Sequence, residues 1–404
     1  LASIQYGGHF HFLWRNFGAL EQQMTDEQES EVCLGTVDTE AVQSKANLVE
    51  KAKKIGFKSA EIDELKRLYP DLKRTTSNLF LLILPAFLAT GCVLTTLDVD
   101  TRGKQPIPSK LVREMESKSM SPSDPILVRI FKQESELEVW KRDKSGKMAL
   151  LKTYPMCRWS GKLGPKKKTG DRQAPEGIYH VSASMLNPKS KYHLSFNLGY
   201  PNRLESALGY TGDALMVHGA CSSSGCFAIT DEAVGEVYAV AREALKGEQN
   251  SFQVQSFPFR MTPENMAKNS SDPNYRFWQD IKVAYDFFEI KKRQPSVSYC
   301  GGRYVFETGP LSSANPLAVC PAIGISDPQV LAKLIEDDEK INTLLRTGEV
   351  TIAYQYSDGG MHPAFRRQLK LTGAKTLAKR TSFSAVPISR PNAALSDPYS
   401  PSIE

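Results

Sequence analysis

The stretch Leu215-Met-Val-His-Gly-Ala-Cys-Ser-Ser-Ser-Gly-Cys-Phe-Ala-Ile229 decides how this chain is read. An apolar run ends at His218-Gly219, a loop of small residues follows, and Cys226 opens a second apolar run. The two runs read as short buried strands, and the Ser/Gly stretch as the loop between them. A thiol near an imidazole is the arrangement that activates cysteine: the imidazole takes the proton and the thiolate is the competent nucleophile. Small loop residues let backbone N–H groups approach a developing oxyanion, with Gly225 and Cys226 as natural donors and Ser224 as a further one. Three plainer readings fit the same residues. His218, Cys221 and Cys226 are candidate zinc ligands, although no Cys-x-x-Cys pair accompanies them. Cys221 and Cys226 are candidates for a disulfide across the short loop, which would silence Cys226. Both thiols are also readable as inert core cysteines.

Outward from the loop, alternating and apolar runs at 126–131, 135–140 and 148–154 predict strands, with Lys144-Ser-Gly-Lys147 as a hairpin turn. Further strands are expected at 177–183, 214–218, 227–230 and 252–257. Helical spacing enters later. Val234, Val237, Tyr238, Ala241, Ala244 and Leu245 recur every three to four residues over 232–246, with Thr230 or Asp231 as the cap and Gly247 as the stop. Phe277, Trp278, Ile281, Tyr285 and Phe288 repeat the pattern over 274–291, after an Asp272-Pro273 start signal. A third helix is expected over 327–346. Strands followed by helices predict an α+β fold, a mostly β core with packed helices between irregular N- and C-terminal extensions.

The Leu215–Ile229 segment resembles the catalytic motif of the L,D-transpeptidase (YkuD-like) family, a His-Gly followed by Ser-x-Gly-Cys, and its YafK-like branch in particular. The likeness extends to Gly164-Pro165 through Gly170-Asp171-Arg172 to Pro175-Glu176-Gly177, to His193 through Asn202, to Phe257-Pro-Phe-Arg-Met261, and to Phe277-Trp278 followed by Tyr285 to Phe288. It spans about 126–306, taken as the catalytic domain. The resemblance implies Cys226 as nucleophile, His218 as its general base, and Gly219 as the residue that lets the strand end approach bound peptide. It also implies an oxyanion loop containing Ser223, Ser224 and Gly225. It implies peptidoglycan stem peptides as substrate, attacked at the L-centre of diaminopimelate, with an outer-membrane protein as a further acyl acceptor or leaving group. It requires no metal or organic cofactor. Hydrolysis within the same family is the alternative outcome, and a wall-binding module with a Cys221–Cys226 disulfide is the non-enzyme alternative. Two positions depart from the common motif: Ser224 stands where a second His is usual, and Ala228 where an Arg is usual.

The basic loop 162–172 reads either as a solvated face or as a docking site for stem-peptide carboxylates, with Arg172 suited to a bidentate contact. His193 and Ser195 are candidate cleft residues on one alternating strand face. The whole-chain balance is mild. The 404 residues carry 51 Lys+Arg against 45 Asp+Glu, a net +6, which is too weak to argue for nucleic acid but suits an anionic polymer. Mean hydropathy of −0.35 excludes a multi-span membrane protein. Seven cysteines are too few for a disulfide scaffold, and the odd number leaves at least one thiol over.

One apolar run, Leu79-Phe-Leu-Leu-Ile-Leu-Pro-Ala-Phe-Leu-Ala89, is too short to span a bilayer and has the length of a signal-peptide core; a buried helix interrupted by Pro85 is the alternative. Lys73 and Arg74 precede it, and Leu88-Ala-Thr-Gly-Cys92 resembles a bacterial lipobox with Leu one position early. The expectation is a signal segment at 72–92 with lipidation at Cys92, periplasmic export and a membrane attachment by lipid. Residues 1–71 are then a misannotated extension ahead of a true start near Leu72, 93–125 a polar linker, and 307–404 a C-terminal extension with a disordered Ser/Pro-rich tail from about Lys379.

Overall fold

β1 (Ile126–Phe131) is apolar but for one arginine and buried at all six positions, and it forms the centre of the larger sheet. The structure, a computed structural model, describes residues 101–306, 315–320, 327–349 and 356–395. The expected extension 1–71 and the signal and lipobox region with Cys92 lie outside these residues. β1 pairs antiparallel with β2 (Glu136–Arg142) and parallel with a late strand, while β3 (Met148–Pro155) extends the β2 side. The chain then gives β4 (Arg158–Trp159), β5 (Gly177–Ser182), β6 (Leu186–Asn187), β7 (Ser195–Asn197), β8 (Met216–His218), β9 (Phe227–Ala228) and β10 (Ser251–Phe257). The five-stranded sheets are ordered β3-β2-β1-β10-β5 and β4-β9-β8-β7-β6, with a separate hairpin of β11 (Val297–Cys300) and β12 (Arg303–Phe306).

The helices are α1 (Ser109–Ser117), α2 (Arg203–Ala207), α3 (Asp231–Lys246), α4 (Pro263–Lys268), α5 (Tyr275–Lys291), α6 (Pro328–Thr347), α7 (Pro363–Thr381) and α8 (Pro391–Leu395). α3 starts where Thr230 accepts the Ala233 N–H, as the capping signal predicts, and buries Val234, Val237, Tyr238, Ala241 and Ala244. That stripe joins Val128 and Ile130 of the larger sheet and Phe196, Val217 and Phe227 of the smaller one in a single apolar core. On the other face of the larger sheet, Trp278, Ile281 and Ala284 of α5 meet Phe131, Ile178 and Phe257. α5 begins two residues later than Asp272-Pro273 suggests, because Asp272 takes the Asn274 N–H (2.7 Å) and the Tyr275 N–H (3.0 Å) in a turn of its own.

Two expectations about the flanks are corrected. Part of the supposed linker is a packed helix: α1 buries Leu111 and Met115 in the main core. Part of the supposed tail is also packed. α7 ends at Thr381, and Ile388 and Ala394 beyond it are buried with Phe365, Leu369 and Leu377 around Cys157, Cys221 and Ala228. Leu111 and Met115 keep helical spacing, but they stand in one short stretch among prolines and serines, while the apolar positions of 363–394 fall on separate pieces with no shared face.

Candidate active site

β8 and β9 are parallel neighbours, with Val217 opposite Phe227 and His218 opposite Ala228. Parallel strands usually need a connection of a dozen or more residues. Here the short stretch 219–226 doubles back along β8, so Cys226 lands one register step before Phe227. Side chains alternate along each strand, so Cys226 and His218 share one face, diagonal across the pair. The loop has no periodic structure, and its shape comes from side chains. Cys221 is joined to Cys157 by a disulfide. Ser223 Oγ donates to Cys226 O (2.7 Å), and the Gly225 N–H donates to Ser160 Oγ (2.6 Å). Gly225 has φ +123°, a conformation that needs glycine.

His218 is buried, and its ring stacks on Tyr192 with centroids 4.7 Å apart. Its Nδ1 lies 2.5 Å from Gly219 O. A carbonyl oxygen only accepts, so Nδ1 carries the proton and Nε2 is the basic nitrogen. Burial pushes the imidazole below its ordinary range, opposed by the Gly219 contact and the Asp231 charge. Asp231 Oδ1 accepts the Ala220 N–H (2.7 Å), which fixes the turn after the histidine. Gly219 is required here: a Cβ would overlap Asp231 Oδ1 and lie 2.8 Å from Tyr192 O.

Cys226 is a free, half-buried thiol. Its Sγ donates to Ala214 O (3.9 Å), a long contact in the resting arrangement. Burial raises the thiol above its ordinary range, while the Met216 backbone and the Lys166 charge pull it down. Four non-glycine residues around this site, Arg172, His193, Ala214 and Ala220, have φ between +51° and +64°. Left-handed backbone at such residues is uncommon and collects at functional sites.

A model of the L,D-transpeptidase catalytic domain matches residues 125–255. An Escherichia coli K12 protein, "Putative L,D-transpeptidase YafK", is 40% identical over 190 residues, covering 47% of this chain and 77% of the relative. The Escherichia coli O157:H7 protein of the same name matches equally. This chain belongs to the L,D-transpeptidase family. Among solved structures, the helical cell shape determining protein Pgp2 of Campylobacter jejuni is 17% identical with a TM-score of 0.28, covering 47% of this chain and 80% of that one. Bd1075 of Bdellovibrio bacteriovorus is 17% identical with a TM-score of 0.24, covering 35% of this chain and 50% of that one. Those scores are too low to bear on the site.

Several readings of this L,D-transpeptidase domain need correction. Cys221 pairs with Cys157, so neither a Cys221–Cys226 disulfide nor a zinc site using Cys221 fits. The Gly225 N–H is already given to Ser160, so it is not an open oxyanion donor. Arg172 is not an open carboxylate receptor: it holds Asp358 (Nη2–Oδ2 3.0 Å) and donates to Ser224 Oγ (2.9 Å). In the basic loop, Lys166 is buried against Asp171 (2.5 Å), while Lys162, Lys167 and Lys168 stay exposed. Ser195 lies opposite His218 but is fully buried, its Oγ on Met216 Sδ (3.4 Å), so it floors the site. His193 stands half-buried at the edge, with its ring against Phe383.

The sequence reading missed Tyr192, Ser160, Asp231 as an acceptor, Asp358 and Ser389. Only Tyr192, next to the singled-out His193, lay within reach of motif reasoning. The Pro175-Glu176-Gly177 and Phe277-Trp278 motifs turn out to meet one another. Glu176 accepts from Lys132 Nζ (2.8 Å), the Gly164 N–H (2.7 Å) and Trp278 Nε1 (2.8 Å), tying the basic loop to α5.

Proposed function

We propose that this protein is a cysteine acyl-transfer enzyme acting on peptidoglycan stem peptides at the L-centre of diaminopimelate. The observation that carries the reading is the placement of the one unpaired thiol among the described residues, Cys226, diagonal to His218 on a shared strand face. Burial disfavours both thiolate and imidazolium, so the resting pair is neutral and proton transfer accompanies attack. Sγ forms a bond to the carbonyl carbon, and the thiol proton passes to His218 Nε2. The carbonyl oxygen becomes the oxyanion, received by the N–H groups of Ser224 and Cys226, since that of Gly225 is occupied. The C–N bond then breaks, and the leaving amine takes its proton from the imidazolium. A thioester remains.

An acceptor amine from another stem, or from an outer-membrane protein, attacks the thioester to give a cross-link or an anchored protein, returning its proton through His218. Water in place of the amine gives hydrolysis. Gly219 does not open the strand end to the peptide, because Asp231 and the Tyr192 carbonyl fill the space beside it; His193 borders the cleft. Export to the periplasm, with lipid attachment at Cys92, belongs to the same reading. The buried disulfide Cys157–Cys221 and the second disulfide Cys300–Cys320 suit an oxidising compartment.

The test is mass spectrometry of purified sacculi incubated with the wild type and with Cys226→Ala. New diaminopimelate–diaminopimelate cross-links in the wild-type sample alone are the expected result for transfer. Release of diaminopimelate-linked peptides assigns hydrolysis at the same thioester. Identical muropeptide profiles from the two proteins would overturn the enzyme reading.

A further inference from the structure

Segment 356–395 lies beyond the residues that the family model matches, yet it meets the loop that carries Cys226 and the turn that follows His218. At the cysteine end, Ser389 Oγ accepts the Ser223 N–H (2.8 Å) and donates to Ser223 O (3.2 Å), holding the peptide units on both sides of that residue. Ser223 Oγ in turn donates to Cys226 O (2.7 Å). Asp358 anchors the Arg172 guanidinium, which reaches Ser224 Oγ (2.9 Å) and Ser223 O (3.2 Å). At the histidine end, the Phe383 N–H donates to Asp231 Oδ2 (2.7 Å), and the other oxygen of that carboxylate holds Ala220.

The segment is itself built for this approach. Asp358 is gripped by Arg158 and Arg390, both at 3.4 Å, and by the Gly161 N–H (3.2 Å). Gly359 lies against Trp159 so closely that a Cβ would overlap the Trp159 carbonyl, and its φ is +72°. Apolar residues of α7 and the turn beyond it close over the Cys157–Cys221 disulfide on the same side.

We propose that segment 356–395 is a positioning frame for the nucleophile loop, with Ser389 and Asp358 as positioning residues that act on Cys226 through Ser223 and Arg172. The loop has no ladder of its own to fix it, and reactive groups lose efficiency when displaced by fractions of an ångström. The inference rests on the proposed thiol chemistry for its meaning, but its test does not need a substrate.

The experiment uses the full chain with Ser389→Ala, Asp358→Asn and the conservative Ser389→Thr. Iodoacetamide alkylation of Cys226 is followed across pH by mass spectrometry, and turnover on a stem-peptide substrate by chromatography. In Ser389→Ala and Asp358→Asn the alkylation profile is expected to shift. The kcat should fall about 10- to 100-fold with KM changed less than about 3-fold, and Ser389→Thr should recover most of the loss. Asp358→Asn removes a charge beside the buried Arg158 and bears on folding, so Ser389→Ala with an unchanged melting temperature is the deciding variant. Wild-type alkylation in Ser389→Ala would overturn the frame. An altered alkylation profile in a protein with no turnover on any stem peptide would uphold the frame and overturn the proposed function instead.

Discussion

At the scale of single residues, the site depends on close approaches that leave no room for a methyl group. Gly219 is the sharpest case, because its missing Cβ is the space in which Asp231 and the Tyr192 carbonyl meet the strand end. Gly219→Ala forces one of them to move. Overpacking of this kind costs about 1–3 kcal/mol. Asp231 also holds Ala220, so turnover is expected to fall about 100-fold, more than the stability loss alone explains. Steady-state kinetics beside a urea titration checks this; full activity in Gly219→Ala would mean the turn is slack. Cys226 and His218 were legible in the sequence because both lie within one short motif whose chemistry is written in residue types. Their supports were not. Ser389 sits 166 positions from Ser223, and nothing in a lone serine announces such a partner.

At the scale of elements, α2 shows how a short helix is held and how it titrates. Asn202 caps the Glu205 N–H, Glu205 returns to the Asn202 N–H (2.7 Å), and its other oxygen takes the Tyr179 hydroxyl (2.7 Å). Burial pushes the Glu205 carboxyl up to about 7 from an ordinary 4.5. A raised carboxyl favours the folded state while it is protonated. Its contribution is full below the unfolded value of about 4.5 and is lost as pH rises through about 7. The shift corresponds to a contribution on the order of 3 kcal/mol. Glu205→Gln is therefore expected to flatten the fall in unfolding free energy between about pH 4 and about pH 8 by roughly that amount, measured by urea titration. An unchanged slope would show that Glu205 ionises freely in the fold. The longer elements follow their sequence patterns: β1 spans 126–131, α3 buries all of its stripe but Leu245, and α5 buries Trp278, Ile281 and Phe288 while Phe277 and Tyr285 pack half-buried. β4, β6 and β9 have two residues each, too few to show any period. α7 was hidden for another reason. Its apolar contacts lie on two helical pieces separated by a non-helical Gly373, so no single face repeats.

At the scale of the whole molecule, the disulfide between Cys157 and Cys221, 64 positions apart, ties the start of β4 to the loop after β8, and apolar residues of the C-terminal segment pack over it. Closing a loop of that length stabilises by about 4 kcal/mol in the chain-entropy view. The double substitution Cys157→Ser with Cys221→Ser is expected to lower the unfolding free energy by about that amount. It should also disturb Cys226, because the loop begins at Cys221. A loss below about 1 kcal/mol would place the stabilisation in the surrounding apolar cluster rather than in the covalent link. The same arrangement has a consequence for how the chain matures. From Cys157 to Cys320 the bonds join neighbours in order of synthesis, 157 with 221 and 300 with 320, and skip only Cys226. Oxidation that follows the emerging chain therefore reaches the native pattern without reshuffling, provided that Cys226 is sequestered on its strand before Cys300 arrives. Under the proposed chemistry, the residue that must stay reactive in the finished protein is the one that has to be protected while the protein is being made.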